Sequence, residues 1–408
     1  MRPQSLGVAA CALIAVGSFG AGATRYRGGL LRAAGLEHLS YGHGRALMDV
    51  LLTAGIFGLV VAWVLLWKTR PGLTQVRRSV CWWAGILAVS APILSRDVYS
   101  YLMQGAMLRD GFDPYSEGAA VNPGPYLWEV SHDWRNTTTP YGPLHLGMGK
   151  AVTWLVGENV TLGLVVYRLI SLAGFALIVW ALPRIAKQIG GDPALALWLG
   201  AANPVMLLHL IGGMHNEAVM VGLVSVGLLW CLRSRWCTPG IALIALAVSL
   251  KATAAVALPF VVWLMVKRRS ATTLGAAGML AVCGAWALAV NVAVIQLVTW
   301  ASGTTWGWLE EITGNSKVIN PLAGPTLAAE LITPVLQLFD DTFRYNTALT
   351  WTRTIFSALM LVGLAVVWWI FRPRRGEGYE RRAVAGTTAA YAVAFATNAV
   401  TLPWYYAS

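Results

Sequence analysis

Long apolar stretches alternate with short polar connections along the whole chain. A helix that crosses a bilayer needs about 20 mostly apolar residues. The longer stretches are Ala46–Trp67, Val160–Leu182, Thr272–Trp300, Leu349–Phe371 and Ala383–Val400; the shorter ones are Leu6–Gly22, Val80–Leu94, Ala194–Ile211 and Ala218–Leu232. Continuous apolar runs of this length are typical of buried or membrane helices. The pattern therefore predicts an all-α polytopic membrane protein.

The composition supports a membrane protein and removes other classes. Hydrophobic residues make up 57% of the 408 residues and charged residues only 12%, whereas a soluble domain carries about 25% charged residues. The formal net charge of +12 does not indicate nucleic-acid binding, because basic residues beside membrane spans report orientation. The five cysteines form no CxxC pair. They are predicted to be small core residues rather than a disulfide framework or a metal site.

Basic residues concentrate in short connections between the apolar stretches, and such connections face the cytoplasm. These connections are 68–78, 184–187, 233–235, 267–269 and 372–382. Fourteen of the 18 acidic residues fall in the remaining connections, which are 24–45, 95–158, Gly212–Glu217 and 301–346. The charges predict a cytoplasmic N-terminus, with the acidic connections and the C-terminal end outside. We expect one multi-span domain over residues 1–408, with outer loops 95–158 and 301–346 forming an ordered extracytoplasmic layer.

The apolar segment between Arg235 and Lys267 is too short for two full membrane crossings, although both of its ends are predicted to be cytoplasmic. It carries Lys251 near its middle and Pro259 shortly after. We predict a hairpin of shortened helices that is broken around these two residues and has Lys251 at its outer tip. Such breaks are tolerated where they line a cavity or are buried in protein.

Polar and aromatic residues gather in the predicted outer connections and form a candidate site. The residues are Arg96, Asp97, Tyr99, Tyr101, Tyr141, His215, Asn216, Glu217, Lys251, Trp404 and Tyr405. Together they supply a carboxylate base, cations for a negatively charged leaving group, and aromatic faces for a sugar or lipid. His209 and His215 are six residues apart and do not share a helix face as HExxH ligands do, so no metal site is predicted.

Asp97 has three possible roles. As a general base it would be held near low-dielectric surroundings, where burial raises the pKa of a carboxylate and strengthens its basicity. As an N-cap it would begin a helix over Val98–Asp110 and accept from backbone N–H groups. It could also form a simple ion pair with Arg96.

The other charged and polar candidates also have structural alternatives. His215 and Asn216 contact sugar hydroxyls or phosphate in the functional interpretation, whereas Asn216 is a helix cap in the structural one. Lys251 is expected to meet an anion, because an unpaired ammonium inside an apolar hairpin is costly. That anion is either the phosphate of a substrate or a buried carboxylate, and the alternative is that Lys251 snorkels to the interface.

Several blocks of the sequence, in order, resemble one family of membrane enzymes. The blocks are SRDVYSYLMQGAMLRDGFDPY (Ser95–Tyr115), TTTPYGP (Thr137–Pro143), WLGAANPVMLLHLIGGMHNEAVMVGL (Trp198–Leu223), KATAAVALPF (Lys251–Phe260) and LPWYY (Leu402–Tyr406). They resemble the actinobacterial α-(1→6)-mannosyltransferases that build the mannan backbone of lipomannan and lipoarabinomannan. The resemblance covers nearly the whole chain and is closest to the member that elongates the backbone.

The resemblance implies a class C glycosyltransferase-like helix bundle with its active site at the outer face. It implies that polyprenyl-phosphate-mannose is the donor, that a glycolipid mannan is the acceptor, and that transfer inverts the anomeric carbon. Asp97 is then the expected base, and no cofactor is expected. Members of the family continue beyond the LPWYY block, so we expect this chain to lack C-terminal helices.

Two other functions remain open from the residues alone. A transporter or flippase of a lipid-linked sugar would gather ionisable residues near the membrane midplane and often show paired repeats. A non-catalytic scaffold would use its polar loops to bind a partner. Most acidic residues lie in the predicted outer loops and no repeat is visible, which favours the enzyme.

Overall fold

The computed structural model describes residues 2–233, 237–269, 275–314, 319–374 and 378–408. Every regular element among them is helical. The α-helices are α1 (Pro3–Ala21), α2 (Leu30–Ala33), α3 (Gly42–Lys68), α4 (Leu73–Leu87), α5 (Asp97–Arg109), α6 (Pro125–Glu129), α7 (Pro143–Val156), α8 (Val160–Gln188), α9 (Pro193–Gly200), α10 (Glu217–Leu232), α11 (Cys237–Leu250), α12 (Leu258–Arg268), α13 (Ala276–Ser302), α14 (Trp308–Gly314), α15 (Gly324–Gln337), α16 (Tyr345–Ile370) and α17 (Glu380–Thr397). A π-helical turn (Met206–Gly212) and two 3-10 turns (Ala252–Ala257 and Pro403–Ala407) complete the elements used below.

Among the residues that the structure describes, five helices are long and apolar enough to cross a membrane: α1, α3, α8, α13 and α16. The π-helical turn and α10 together pass the same test, but they meet at an angle of 114°. The prediction of an all-α polytopic membrane protein is confirmed.

Three predicted stretches differ from the helices found. The stretch Val80–Leu94 becomes α4, which begins seven residues earlier and ends at Leu87, ahead of Pro92. The stretch Ala194–Ile211 is divided between α9 and the π-helical turn. The last stretch becomes α17, which starts with three charged residues from Glu380 onward and is too polar to count as a span. Hydropathy detects apolar composition, whereas proline and charge decide where a helix ends.

The predicted break at Lys251 is confirmed. Helix α11 ends at Leu250, the 3-10 turn follows, and α12 begins at Leu258 with Pro259 in its first turn. Arg268 at the end of α12 donates hydrogen bonds to the carbonyls of Cys231 (2.5 Å) and Leu232 (2.7 Å) at the end of α10. Arg268 also lies 3.3 Å from Cys237 Sγ at the start of α11, so both ends of the segment lie together, as a hairpin requires.

Two of the basic connections, 267–269 and 372–382, meet at this same end of the bundle. Lys267 donates to the carbonyl of Arg374 at 2.9 Å, and Arg268 pairs with Glu380 at 3.4 Å. At the opposite end of the hairpin, Lys251 lies among the candidate site residues. The two ends of the bundle thus differ in their chemistry.

Both predicted outer loops contain helices. Loop 95–158 holds α5, α6 and α7, and loop 301–346 holds α14 and α15. Helices α5 and α7 approach each other closely at Gly105 and Gly149, where a Cβ on Gly105 would lie 2.2 Å from the Gly149 carbonyl carbon. This contact fixes α5, and with it Asp97, against α7.

Candidate active site

Asp97 lies at the first position of α5, directly after an irregular turn. Arg96 is the N-cap residue, and its side chain makes no capping hydrogen bond. The Asp97 backbone N–H donates to Ser95 Oγ at 3.1 Å. The N-cap interpretation of Asp97 is therefore wrong, because its carboxylate is free to face the site. Its place in the first helical turn still favours the ionised form.

His215 lies in a second turn, between the π-helical turn and α10. The residues just before the two site segments, Leu94 (φ +62°) and Met214 (φ +55°), both adopt the left-handed conformation. Non-glycine residues rarely do so, and such strain gathers at functional sites. A backbone hydrogen bond from Ile93 N–H to the Gly212 carbonyl (3.2 Å) ties the two turns together.

A buried arginine forms hydrogen bonds with the backbone just ahead of both turns. Arg168 of α8 donates to the carbonyl of Leu87 at the end of α4 (3.3 Å), to that of Ser90 just after it (2.8 Å), and also to the Ile211 carbonyl. These carbonyls lie just ahead of the Asp97 and His215 turns. The guanidinium therefore donates to backbone carbonyls near the helix ends, where intrahelical donors are missing.

Asp97 and His215 form the centre of the site. His215 Nδ1 lies 3.4 Å from Asp97 Oδ2; the His215 side chain is fully buried, whereas 19% of the Asp97 side chain is exposed. Trp404 of the Pro403–Ala407 turn stacks on His215 with ring centroids 3.9 Å apart and an interplanar angle of 18°. The His209 ring lies 5.7 Å from the centroids of both the His215 and Trp404 rings, tilted by 55° and 49°. His215 is thus fixed on one face while Asp97 stays accessible.

The pKa of Asp97 is lowered rather than raised, which corrects the expectation from sequence. Burial alone would raise it, but His215, followed by Ser95 and Lys251, holds the pKa of Asp97 below its ordinary value. The carboxylate is therefore ionised at neutral pH, as a general base must be.

Glu217 and Lys251 form a second acid–base pair beside the first. Lys251 Nζ donates to Glu217 Oε1, and both side chains are buried. The ammonium also lies 3.9 Å from the Tyr405 ring centroid and 5.8 Å from that of Tyr141. Lys251 therefore neutralises a buried carboxylate and does not snorkel. Its predicted contact with a substrate phosphate stays a prediction.

The TPYGP turn brings Tyr141 to this pair. Gly142 N–H donates to the Leu250 carbonyl at 3.1 Å. A Cβ on Gly142 would lie 2.2 Å from the Ser249 carbonyl oxygen, so only glycine allows this approach. Tyr141 then packs edge-on against Tyr101, with ring centroids 5.6 Å apart.

His145 is a member of the site that the sequence did not single out. It is fully buried in the first turn of α7. Its Nδ1 lies 3.3 Å from Asn216 Nδ2 and its Nε2 lies 3.1 Å from Gln104 Oε1. The rings of Tyr101 and Tyr141 pack on it at 4.7 and 4.4 Å. The available signal was its position two residues after Pro143, which ends the TTTPYGP block.

Arg96 and Tyr99 face a different cluster. Arg96 donates to the Glu129 carbonyl at 2.8 Å and to its carboxylate at 3.3 Å, and its guanidinium stacks on Tyr26 at 3.7 Å. Tyr99 donates to the Ala23 carbonyl at 2.7 Å. The proposed Arg96–Asp97 ion pair is wrong, since the neighbouring Glu129 takes the guanidinium. A substrate-binding role for Arg96 and Tyr99 stays a prediction.

The structure therefore brings together most of the residues chosen from sequence. These are Asp97, Tyr101, Tyr141, His215, Asn216, Glu217, Lys251, Trp404 and Tyr405. Within the described ranges, no group of three or more His, Cys, Asp or Glu side chains is placed to hold a metal ion.

Fold and site define a multi-pass α-helical membrane protein with a polar, aromatic-walled site built around one ionised carboxylate. The chain belongs to the alpha-(1→6)-mannopyranosyltransferase family: the model of that family's N-terminal domain matches residues 4–267.

Named relatives agree with this assignment. The chain is 54% identical to alpha-(1→6)-mannopyranosyltransferase A of Corynebacterium glutamicum, over 97% of this chain and 84% of the relative. It is 38% identical to the protein of the same name from Mycobacterium tuberculosis, over 99% of this chain and 78% of the relative. No solved structure matches the chain.

Proposed function

We propose that the chain is an α-(1→6)-mannosyltransferase that uses polyprenyl-phosphate-mannose and elongates a lipomannan-type α-(1→6)-mannan. The family and the names of its relatives support the activity. The observation that carries the proposal is the Asp97 carboxylate, which is ionised, partly accessible and held against His215. The lipid-linked donor and the mannan acceptor follow from the sequence blocks that resemble the family. The proposal includes no resident cofactor.

The proposed reaction is a single displacement. Asp97 accepts the proton of the acceptor 6-hydroxyl while the oxygen of that hydroxyl attacks the anomeric carbon of the donor. The new C–O bond forms while the bond from that carbon to the phosphate oxygen breaks, and the electron pair leaves with the lipid phosphate. Because a phosphate leaving group needs no protonation, one carboxylate is sufficient, unlike the two of a glycosidase.

Positive charge near the leaving phosphate stabilises the transition state. Lys251 is already engaged by Glu217, so His215 is the first candidate to contact the phosphate, since its Nε2 has no hydrogen-bond partner among the described residues. Stacked Trp404 keeps its ring in place.

We further propose that the site faces outside and the N-terminus inside. The basic connections around Arg268 meet at one end of the hairpin, and Lys251 lies at the other. Short basic connections normally face the cytoplasm, so the opposite end, with the site, would face outward. A lipid-linked donor could then enter sideways from the bilayer.

Transfer can be tested directly with membranes that contain the chain, polyprenyl-phosphate-mannose and a short α-(1→6)-mannoside. The expected product is longer by one α-(1→6)-linked mannose, identified by linkage analysis. Movement of the donor across the bilayer without any elongated product would favour a flippase and overturn the proposal.

Orientation can be tested by labelling single cysteines with an impermeant thiol reagent in intact cells. Asp133 and Lys187 are exposed side chains at the proposed outer and inner sides. In a Cys81→Ser background, Asp133→Cys should react and Lys187→Cys should react only after the cells are opened. The reverse pattern would place the site in the cytoplasm.

A further inference from the structure

Gln104, His145 and Asn216 form a hydrogen-bonded chain beside the Asp97 site, in which His145 and Asn216 are buried and Gln104 is partly buried. Gln104 Oε1 lies 3.1 Å from His145 Nε2, and His145 Nδ1 lies 3.3 Å from Asn216 Nδ2. Asn216 stands between His215, which faces Asp97, and Glu217, which binds Lys251. The proposed displacement step uses neither His145 nor Gln104.

The chemistry of the partners fixes the direction of these hydrogen bonds. The amide oxygen of Gln104 only accepts, so the proton of a neutral His145 ring must lie on Nε2. Nδ1 is then an acceptor, and the Asn216 NH₂ group donates to it. Burial, followed by the positive charge of Lys251, lowers the pKa of His145 to about 3, which keeps the ring neutral at physiological pH.

This arrangement turns the Asn216 amide so that its oxygen has no hydrogen-bond partner among the described residues. Asn216 is only 5% exposed, and its Oδ1 is a buried acceptor without a hydrogen-bond donor among the described groups. Buried acceptors are nearly always satisfied, so an open one at a site points to a missing donor. A sugar hydroxyl is a donor of the right kind.

We propose that Gln104 and His145 are positioning residues that hold the Asn216 amide oxygen ready to accept a hydrogen bond from a hydroxyl of the bound mannosyl substrate. The proposal rests on the proposed mannosyltransferase function. The hydroxyl belongs either to the donor mannose or to the acceptor mannoside. Since the bond is made to bound substrate rather than to the reacting atoms, its loss should raise KM more than it lowers kcat.

The main test is Gln104→Met, which removes the acceptor while keeping the side-chain length. His145 can then carry its proton on Nδ1, so the Asn216 amide is free to turn over. We expect KM to rise about tenfold or more for one substrate, with kcat changed less than about threefold. A rise in the donor KM places the hydroxyl on the donor, and a rise in the acceptor KM places it on the acceptor. Met107→Leu, one turn further along α5, is the matched packing control.

Gln104→Glu provides a second test that a purely structural role would not pass. It keeps the acceptor, so KM should be near the wild-type value at high pH. The added carboxylate should raise the pKa of His145, whose other charged or titratable neighbours are Tyr101, Tyr141, Lys251 and Asp97. As the pH falls, the His145 ring becomes protonated, donates from both nitrogens and turns the Asn216 amide over. KM should therefore rise at low pH in Gln104→Glu but not in the wild type.

The double variant Gln104→Met/Asn216→Leu separates positioning from general damage. If Gln104 acts through Asn216, the double variant should have the same KM as Asn216→Leu alone. Additive effects, or unchanged KM values in Gln104→Met, would overturn the inference. If Gln104→Met folds poorly, the isosteric Gln104→Glu still decides through its pH profile. Absence of transfer by the wild-type chain would instead refute the proposed function itself.

Discussion

Two acid–base pairs lie side by side in this molecule, and they differ in what their carboxylates can do. His215 and Glu217 are separated by one residue, yet His215 faces Asp97 and Glu217 binds Lys251. The Asp97 pair is loose, at 3.4 Å, and its acid is partly exposed, whereas Glu217 and Lys251 are in close contact and both buried. A loosely held, accessible carboxylate can take a proton from a substrate. A buried, tightly paired one stabilises the fold.

The largest expected effect comes from breaking the second pair. Lys251→Met leaves Glu217 as a buried charge without its ammonium, which should lower the free energy of unfolding by about 3–5 kcal/mol. Thermal unfolding in detergent measures the loss. Lys187→Met, which removes an exposed lysine of α8, is the control and should change little.

A rescue variant sharpens that result. Adding Glu217→Gln to Lys251→Met removes the stranded charge, so the double variant should be more stable than Lys251→Met alone. If Lys251→Met is as stable as wild type but inactive, Lys251 serves the donor phosphate and the comparison between the pairs fails.

A smaller effect is expected from changing the first pair. His215→Gln removes the main partner that lowers the pKa of Asp97, so burial then dominates and that pKa rises. The base works only when ionised. The acid side of the pH–rate profile should therefore move to higher pH, with a smaller change at alkaline pH. An unchanged acid side in the variant would show that His215 does not control the ionisation of Asp97.

Much of this site could be predicted from sequence because its residues mark places where the apolar pattern breaks. Asp97, His215 and Lys251 each interrupt or end an apolar stretch, and a charge at membrane depth requires a reason. The break at Lys251 could also be predicted, because the hairpin is too short to contain two full membrane spans. The TTTPYGP block stood out through the family resemblance, and in the structure its Gly142 lies directly against Ser249 of α11.

The remainder depends on contacts between residues far apart in the chain. His145 meets Gln104 and Asn216, which are 41 and 71 residues away, and a lone histidine in an apolar helix gives no sign of this. An ion pair between Arg96 and its sequence neighbour Asp97 is one of the possibilities that the sequence leaves open, but in the structure Arg96 pairs with Glu129. The direction of the Asp97 pKa shift also needed the position of His215, because burial and pairing act in opposite senses.

The most direct test compares Asp97→Asn with Glu217→Gln. Mannosyl transfer and thermal unfolding are measured on the same preparations. Asp133→Asn, which changes an exposed carboxylate in the same loop as Asp97, is the control. Asp97→Asn should lower transfer by about 10²- to 10⁴-fold and leave the unfolding temperature nearly unchanged. Glu217→Gln should lower the unfolding temperature, while the protein that remains folded still transfers mannose within about tenfold of wild type, as expected for a group that only stabilises its partner. Transfer at the wild-type rate by Asp97→Asn, or a stable but inactive Glu217→Gln, would contradict the assignment of the chemistry to Asp97 and of the structural role to Glu217.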